Sequence, residues 1–136
     1  MPITFTVDHA RRLVVVIATG TVTRETVVRY FDTQRMLEGL SYPRLVECRA
    51  LDSRISGDEW RAATEWLRTV TKDVAFGPAA VVVDDGPTFE LVRMISILVS
   101  DFCEVEAFFD RESAEDWLAD RLTSGAQMPR REDAGP

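Results

Sequence analysis

Four short apolar runs punctuate this chain, Leu13 to Ala18, Leu45 to Leu51, Ala79 to Val83 and Val105 to Phe109, and each is followed by a stretch with the spacing of an amphipathic helix. A short apolar run bounded by turn residues reads as a strand buried by its neighbours, and strand–helix alternation requires parallel crossovers. The first residues differ: Ile3, Phe5 and Val7 alternate with threonines, the period of a strand with one wet face. Asp8 to Arg12 is a turn that folds this strand back on Leu13 to Thr19 as an antiparallel hairpin. In the third run Val46, Cys48 and Ala50 share one side while Glu47 and Arg49 share the other, so that one face of the strand reaches water or holds an ion pair. Ala79 to Val83 does not alternate, as expected of a central strand.

The stretches between the runs carry helical signals. Thr23 precedes a pattern in which Val27, Val28, Tyr30, Phe31 and Leu37 fall on one face at about 100° per residue, with Arg29, Asp32 and Met36 opposite. Gly39 and the Tyr42-Pro43 pair end it. Ser56 opens the next helix, whose inner stripe is Trp60, Ala63, Trp66, Leu67 and Val70, and Gly77-Pro78 closes the connection. Pro87 sits in the first turn of a third helix reaching about Phe102. A fourth runs from Ser113 to Leu122 with Trp117, Leu118 and Leu122 inward. The predicted order is ββαβαβαβα: an α/β domain over residues 1–122 with a five-stranded, mostly parallel mixed sheet, an N-terminal antiparallel hairpin and four helices. From Thr123 onward Ser, Gly, Pro and mixed charges replace apolar periodicity, the composition of a disordered tail over residues 123–136.

Composition narrows the chemistry. With 136 residues, 46% of them apolar, the chain can bury one ordinary core. A net charge of −7 without a local Lys/Arg cluster argues against nucleic acid and anionic membranes as partners. Cys48 and Cys103 lack CxxC spacing, which argues against a zinc or redox motif and fits a reducing cytoplasm. No stretch has the length or composition of a membrane span, and no cofactor motif is present. His9, in the hairpin turn, has no acid or thiol in its local pattern, so no catalytic residue is nominated.

Two phrases carry a resemblance: Val81-Val82-Val83-Asp84-Asp85 before a helix containing Leu91-Val92-Arg93-Met94, and Val105-Glu106-Ala107-Phe108-Phe109-Asp110 before Ala114 and Trp117-Leu118. With the element order and length, they make the chain similar to the SpoIIAA-like superfamily, which includes the STAS domains and, more distantly, the SEC14 lipid-transfer domains. The similarity spans residues 3 to 122 and implies a single-domain SpoIIAA-like (STAS-like) fold. It also implies a role for Ser56-Gly57, because anti-sigma factor antagonists of this family carry a phosphorylatable serine followed by glycine at the start of the corresponding helix. Here Arg54-Ile55 stands before the pair where those proteins carry an acid. Ser56 and Glu59 equally form the spacing of a capping box, which recurs at Ser113 and Asp116.

Two further groups of residues are candidates. In open parallel sheets ligands collect at the carboxyl ends of strands, which here carry Asp52, Arg54, Asp84, Asp85, Asp110 and Arg111. Their acids suit a hard cation and their arginines an anion, although aspartates also cap helices at such places. On the third helix Ile97 lies off the apolar face among Glu90, Arg93, Ser100 and Asp101, with Phe89 across the same polar arc. Phe89, Arg93 and Ile97 therefore form a candidate self-association surface for a homodimer. The expected role is a non-catalytic regulatory or protein-interaction module with an unknown protein partner. The alternative is a carrier or sensor of a small apolar, lipid-like or anionic ligand, which requires a sizeable apolar pocket. An enzyme with its site at the carboxyl edge is the third reading.

Overall fold

The first strand is β1 (Ile3–Asp8), turned back on β2 (Leu13–Val22) so that Ile3 pairs with Ala18 and Asp8 with Leu13. The Asp8 carboxylate holds the turn by accepting from the Arg11 amide at 3.0 Å, and Arg12 takes the left-handed backbone that closes it (φ 54°). The computed structural model describes residues 3–36, 41–70, 72 and 76–127. Among these the chain continues as α1 (Arg24–Met36), β3 (Arg44–Ser53), α2 (Gly57–Val70), β4 (Ala79–Val82), α3 (Gly86–Leu98), β5 (Val105–Phe108) and α4 (Arg111–Gln127).

The described strands form one sheet in the order β1-β2-β3-β4-β5, with β1 antiparallel and the remaining pairs parallel. Because strand order advances monotonically, three right-handed crossovers must all pass over the same face. That face carries α1, α2 and α3, which meet the side chains of Val16, Ala18, Val46, Cys48 and Val81. The chain leaves β5 at the sheet edge and folds α4 back over the other face, where Ala114 and Leu118 pack on Leu45 and Ala80. The expected α/β class, sheet and hairpin are all present.

The clearest departure from the sequence pattern is in β3. Thr19 pairs with Arg49 but Gly20 with Leu51, so Ala50 is an extra residue in a bulge. Ala50 and Gly20 both take positive φ, 49° and 70°. A one-residue insertion reverses strand parity. Ala50, expected beside Val46 and Cys48, is therefore exposed, and Leu51 and Ser53 continue the inner face instead. Glu47 and Arg49, on the opposite face, form the anticipated ion pair at 2.7 Å.

Helix ends also differ. α3 stops at Leu98 rather than near Phe102, because Val99 leaves the helical backbone (φ −103°, ψ 5°) and the Ser100 and Phe102 amides make tighter three-residue turns onto the Ile97 and Val99 carbonyls at 3.3 and 2.9 Å. The fourth helix begins at Arg111, two residues before Ser113, because Asp110 supplies the cap: its carboxylate accepts from the Ser113 amide and hydroxyl at 2.8 and 2.9 Å. It continues to Gln127, five residues past Leu122, since extending a helix already nucleated adds a hydrogen bond for each residue fixed. Residues 128–136 of the expected tail, and Leu37 and Gly39, lie outside the described residues. Gly77 meets a close approach: a Cβ there would lie 2.2 Å from the Tyr42 carbonyl oxygen, so only glycine lets these two connections pack.

Candidate functional site

At the carboxyl edge of the sheet each predicted acid has a separate partner. Asp85 caps α3, accepting from the Thr88 amide at 2.7 Å, and bonds from the Thr88 hydroxyl and amide lower its pKa. Asp110 caps α4, and the Ser113 amide and hydroxyl lower its pKa likewise. Asp84 reaches across to β3 and accepts from the Ala50 amide at 2.9 Å, tying down the bulge. Asp52 pairs with Arg54 at 3.0 Å, and Arg111 with Glu115 and Glu47 at 2.9 and 3.4 Å. Among the described residues no group of three or more His, Cys, Asp or Glu side chains is placed to hold a metal ion.

Ser56 and Glu59 form a reciprocal capping box at the start of α2. The Ser56 hydroxyl accepts from the Glu59 amide at 3.1 Å, and the Glu59 carboxylate accepts from the Ser56 amide at 3.0 Å. Ser56, Gly57, Asp58 and Glu59 are all exposed. Gly57 is not sterically required, since the nearest atom to a Cβ there is the Arg61 side chain at 4.0 Å. His9 lies exposed in its turn, with Nδ1 2.6 Å from the Tyr42 hydroxyl.

On α3, Ile97 is 71% exposed and Arg93 is exposed, as the helical wheel requires. Phe89 is half-buried rather than free. It packs on the core and stacks face to face on Phe109, with ring centres 4.7 Å apart and planes 7° from parallel. Phe109, just past β5, is itself 58% exposed.

An apolar cavity lies elsewhere, between the sheet and α1–α3. Its volume is about 210 Å³. Val16, Ala18, Val46, Cys48 and Val81 form its floor, and α1 contributes Val27, Tyr30 and Phe31. α2 contributes Trp60, Ala63, Thr64 and Leu67, and α3 Leu91, Val92 and Ile95. Two of the lining residues, Trp60 and Arg44, carry buried polar groups. The Trp60 Nε1 is buried and has no hydrogen-bond partner among the described residues, a donor whose desolvation costs about 1–3 kcal/mol until an acceptor arrives. Arg44, only 4% exposed, lies at the amino end of β3, where Nη1 donates to the Tyr30 hydroxyl at 3.4 Å and the guanidinium rests 5.6 Å from the Phe76 ring centre. Cys48 and Cys103 also line the cavity as free thiols, and burial pushes both up to about 11. Near neutral pH they are thiols rather than thiolates, a poor state for a nucleophile.

Sequence reading nominated none of these as a site. Trp60, Ala63 and Leu67 read as a core stripe, Thr64 was outside it, and Arg44 merely preceded a strand. The available signal was weak: small Ala63 and Thr64 on an inward helix face, and an arginine leading a buried strand. Periodicity reports which way side chains point but not whether they meet.

Among the described residues no helix is long and apolar enough to cross a membrane. No family model and no curated protein matches the chain. A solved structure does: an uncharacterised protein of the DUF3478 family with a SpoIIAA-like fold from Shewanella loihica PV-4. The two share 19% identity over 85% of this chain and 93% of that one, with a TM-score of 0.58. The parallel sheet with its leading hairpin, three helices on one face and one on the other is accordingly a SpoIIAA-like fold.

Proposed function

We propose that this protein is a non-catalytic binding protein that carries or senses a small apolar ligand in the cavity between the sheet and α1–α3. The carrying observation is the cavity itself: about 210 Å³ of space lined by apolar side chains from the sheet and three helices. Most core cavities larger than a water molecule are filled by packing, because voids cost stability. A ligand with an apolar body would supply the missing contacts. The raised thiol pKa values and the engaged carboxylates support binding over chemistry.

The test is native mass spectrometry of protein purified from its own host, followed by organic-solvent extraction of whatever co-purifies. Expected is a bound apolar species, displaced by the dye 1-anilinonaphthalene-8-sulfonate with a change in tryptophan emission that Trp60→Phe removes. Protein with no extractable ligand, and no dye uptake, would overturn the reading.

A second reading, a regulatory protein-interaction module, is favoured by the exposed capping box at Ser56. It begins the helix whose inner face lines the cavity, so a partner bound at this end would touch the same element as the ligand.

A further inference from the structure

The polar groups around the cavity between the sheet and α1–α3 are engaged within the protein rather than offered to a ligand. Thr64 Oγ1 donates to the Trp60 carbonyl at 2.8 Å, and Ser53 Oγ accepts from the Ile55 amide at 3.4 Å. The Tyr30 hydroxyl accepts from Arg44 Nη1, whose guanidinium lies against the Phe76 ring, and the Cys103 thiol is 3.6 Å from the Gly77 carbonyl. Trp60 Nε1 is buried and closed to water-sized groups. Cys48, buried on the sheet, carries only a weak thiol donor and packs as a small hydrophobe. A charged group entering this wall would leave its water shell and receive nothing in return.

Volume sets the size of the occupant. An apolar cavity of about 150 Å³ stays dry and holds one benzene molecule. This cavity, at about 210 Å³, has room for about two further carbons, at roughly 30 Å³ for each water-sized group. A sixteen-carbon acyl chain needs about twice the space available. Resting on the binding role proposed above, we infer that the cavity takes a neutral, compact hydrocarbon of about eight carbons, not a long acyl chain and not an acid with its charge inside. The anilinonaphthalene dye exceeds this size and enters by one ring, its sulfonate remaining in water because the cavity is partly open to solvent.

Calorimetric titration of the full chain with a series of arenes tests this. From benzene through toluene to ethylbenzene, binding is expected to tighten by up to about fourfold for each added carbon, the effect of burying one methylene. The gain should stop there, so that butylbenzene and hexylbenzene bind no more tightly than ethylbenzene. Benzoate, which replaces the methyl of toluene with a carboxylate of similar size, should bind at least about a hundredfold more weakly than toluene. Ala63→Leu adds about three carbons to the wall and leaves room for about five, so it should keep cyclopentane and lose every arene. Circular dichroism verifies that this variant is folded. Affinity that keeps rising to hexylbenzene, benzoate that binds like toluene, or an Ala63→Leu protein that still binds ethylbenzene would each overturn the inference while leaving the binding role in place. A wild type that takes up none of these hydrocarbons would overturn both.

Discussion

On the α4 side of the sheet, Ala80 and Ala114 are fully buried, and Leu45 and Leu118 close over them with Trp117 and Phe108 at the margin. On the other side three helices cover the same sheet but leave about 210 Å³ between them. The difference follows from the side chains that face each other. One helix laid on a sheet through alanines approaches closely, as small residues permit. The helices holding Trp60, Tyr30 and Phe31 at the cavity wall, with Phe76 beside them from the connection before β4, stand further off, because large rings prop the layer apart. One face thus secures the fold and the other is left able to bind.

The sharpest way to break this comparison is to make the same substitution on both faces. Ala114→Leu inserts bulk where none fits and should cost about 1–3 kcal/mol of unfolding free energy, by urea titration. Ala63→Leu extends into the cavity from α2, so it should leave the ligand-free protein as stable as wild type or up to about 1 kcal/mol more stable, while abolishing dye uptake. Equal losses at both sites would show that the two faces are packed alike. At the helix that joins cavity to surface, Ser56→Ala removes one half of the capping box and should cost about 0.5–2 kcal/mol. Ser56→Asp should retain most of that stability, since an aspartate caps equally and suits the positive end of the helix dipole.

The smallest effect expected is on the acid limb of stability. Asp85 and Asp110 have folded-state pKa values below those of the unfolded chain, because helix amides and hydroxyls bond the ionised carboxylates. Their contribution is complete above the unfolded carboxylate pKa and is lost as pH falls through the lower folded value. Asp85→Asn and Asp110→Asn keep a capping oxygen without the titration, so the double variant should show a flatter decline of melting temperature below the ordinary carboxylate range. An unchanged acid limb would mean that other groups carry it.

Legibility differed by region. The hairpin, the four parallel-sheet runs and the faces of α2 and α4 were readable because each depends on local alternation, at a period of two in strands and 3.6 in helices. The capping box at Ser56 was readable for the same reason, since its partners lie three residues apart. The cap at Asp110 was misplaced onto Ser113 because the same spacing occurs twice in overlapping frames. Ala50 was assigned to the wrong face since a bulge is set by its partner strand and by Asp84, thirty-four residues away.

Alternation and turn chemistry in the sequence were thus sufficient for the element order, the fold class and the exposed position of Ile97. The cavity, the Trp60 nitrogen left without a partner among the described residues, and the burial of Arg44 were decided only in three dimensions. The reason is that periodicity specifies a direction for each side chain, whereas empty volume and burial depend on distances between segments far apart along the chain.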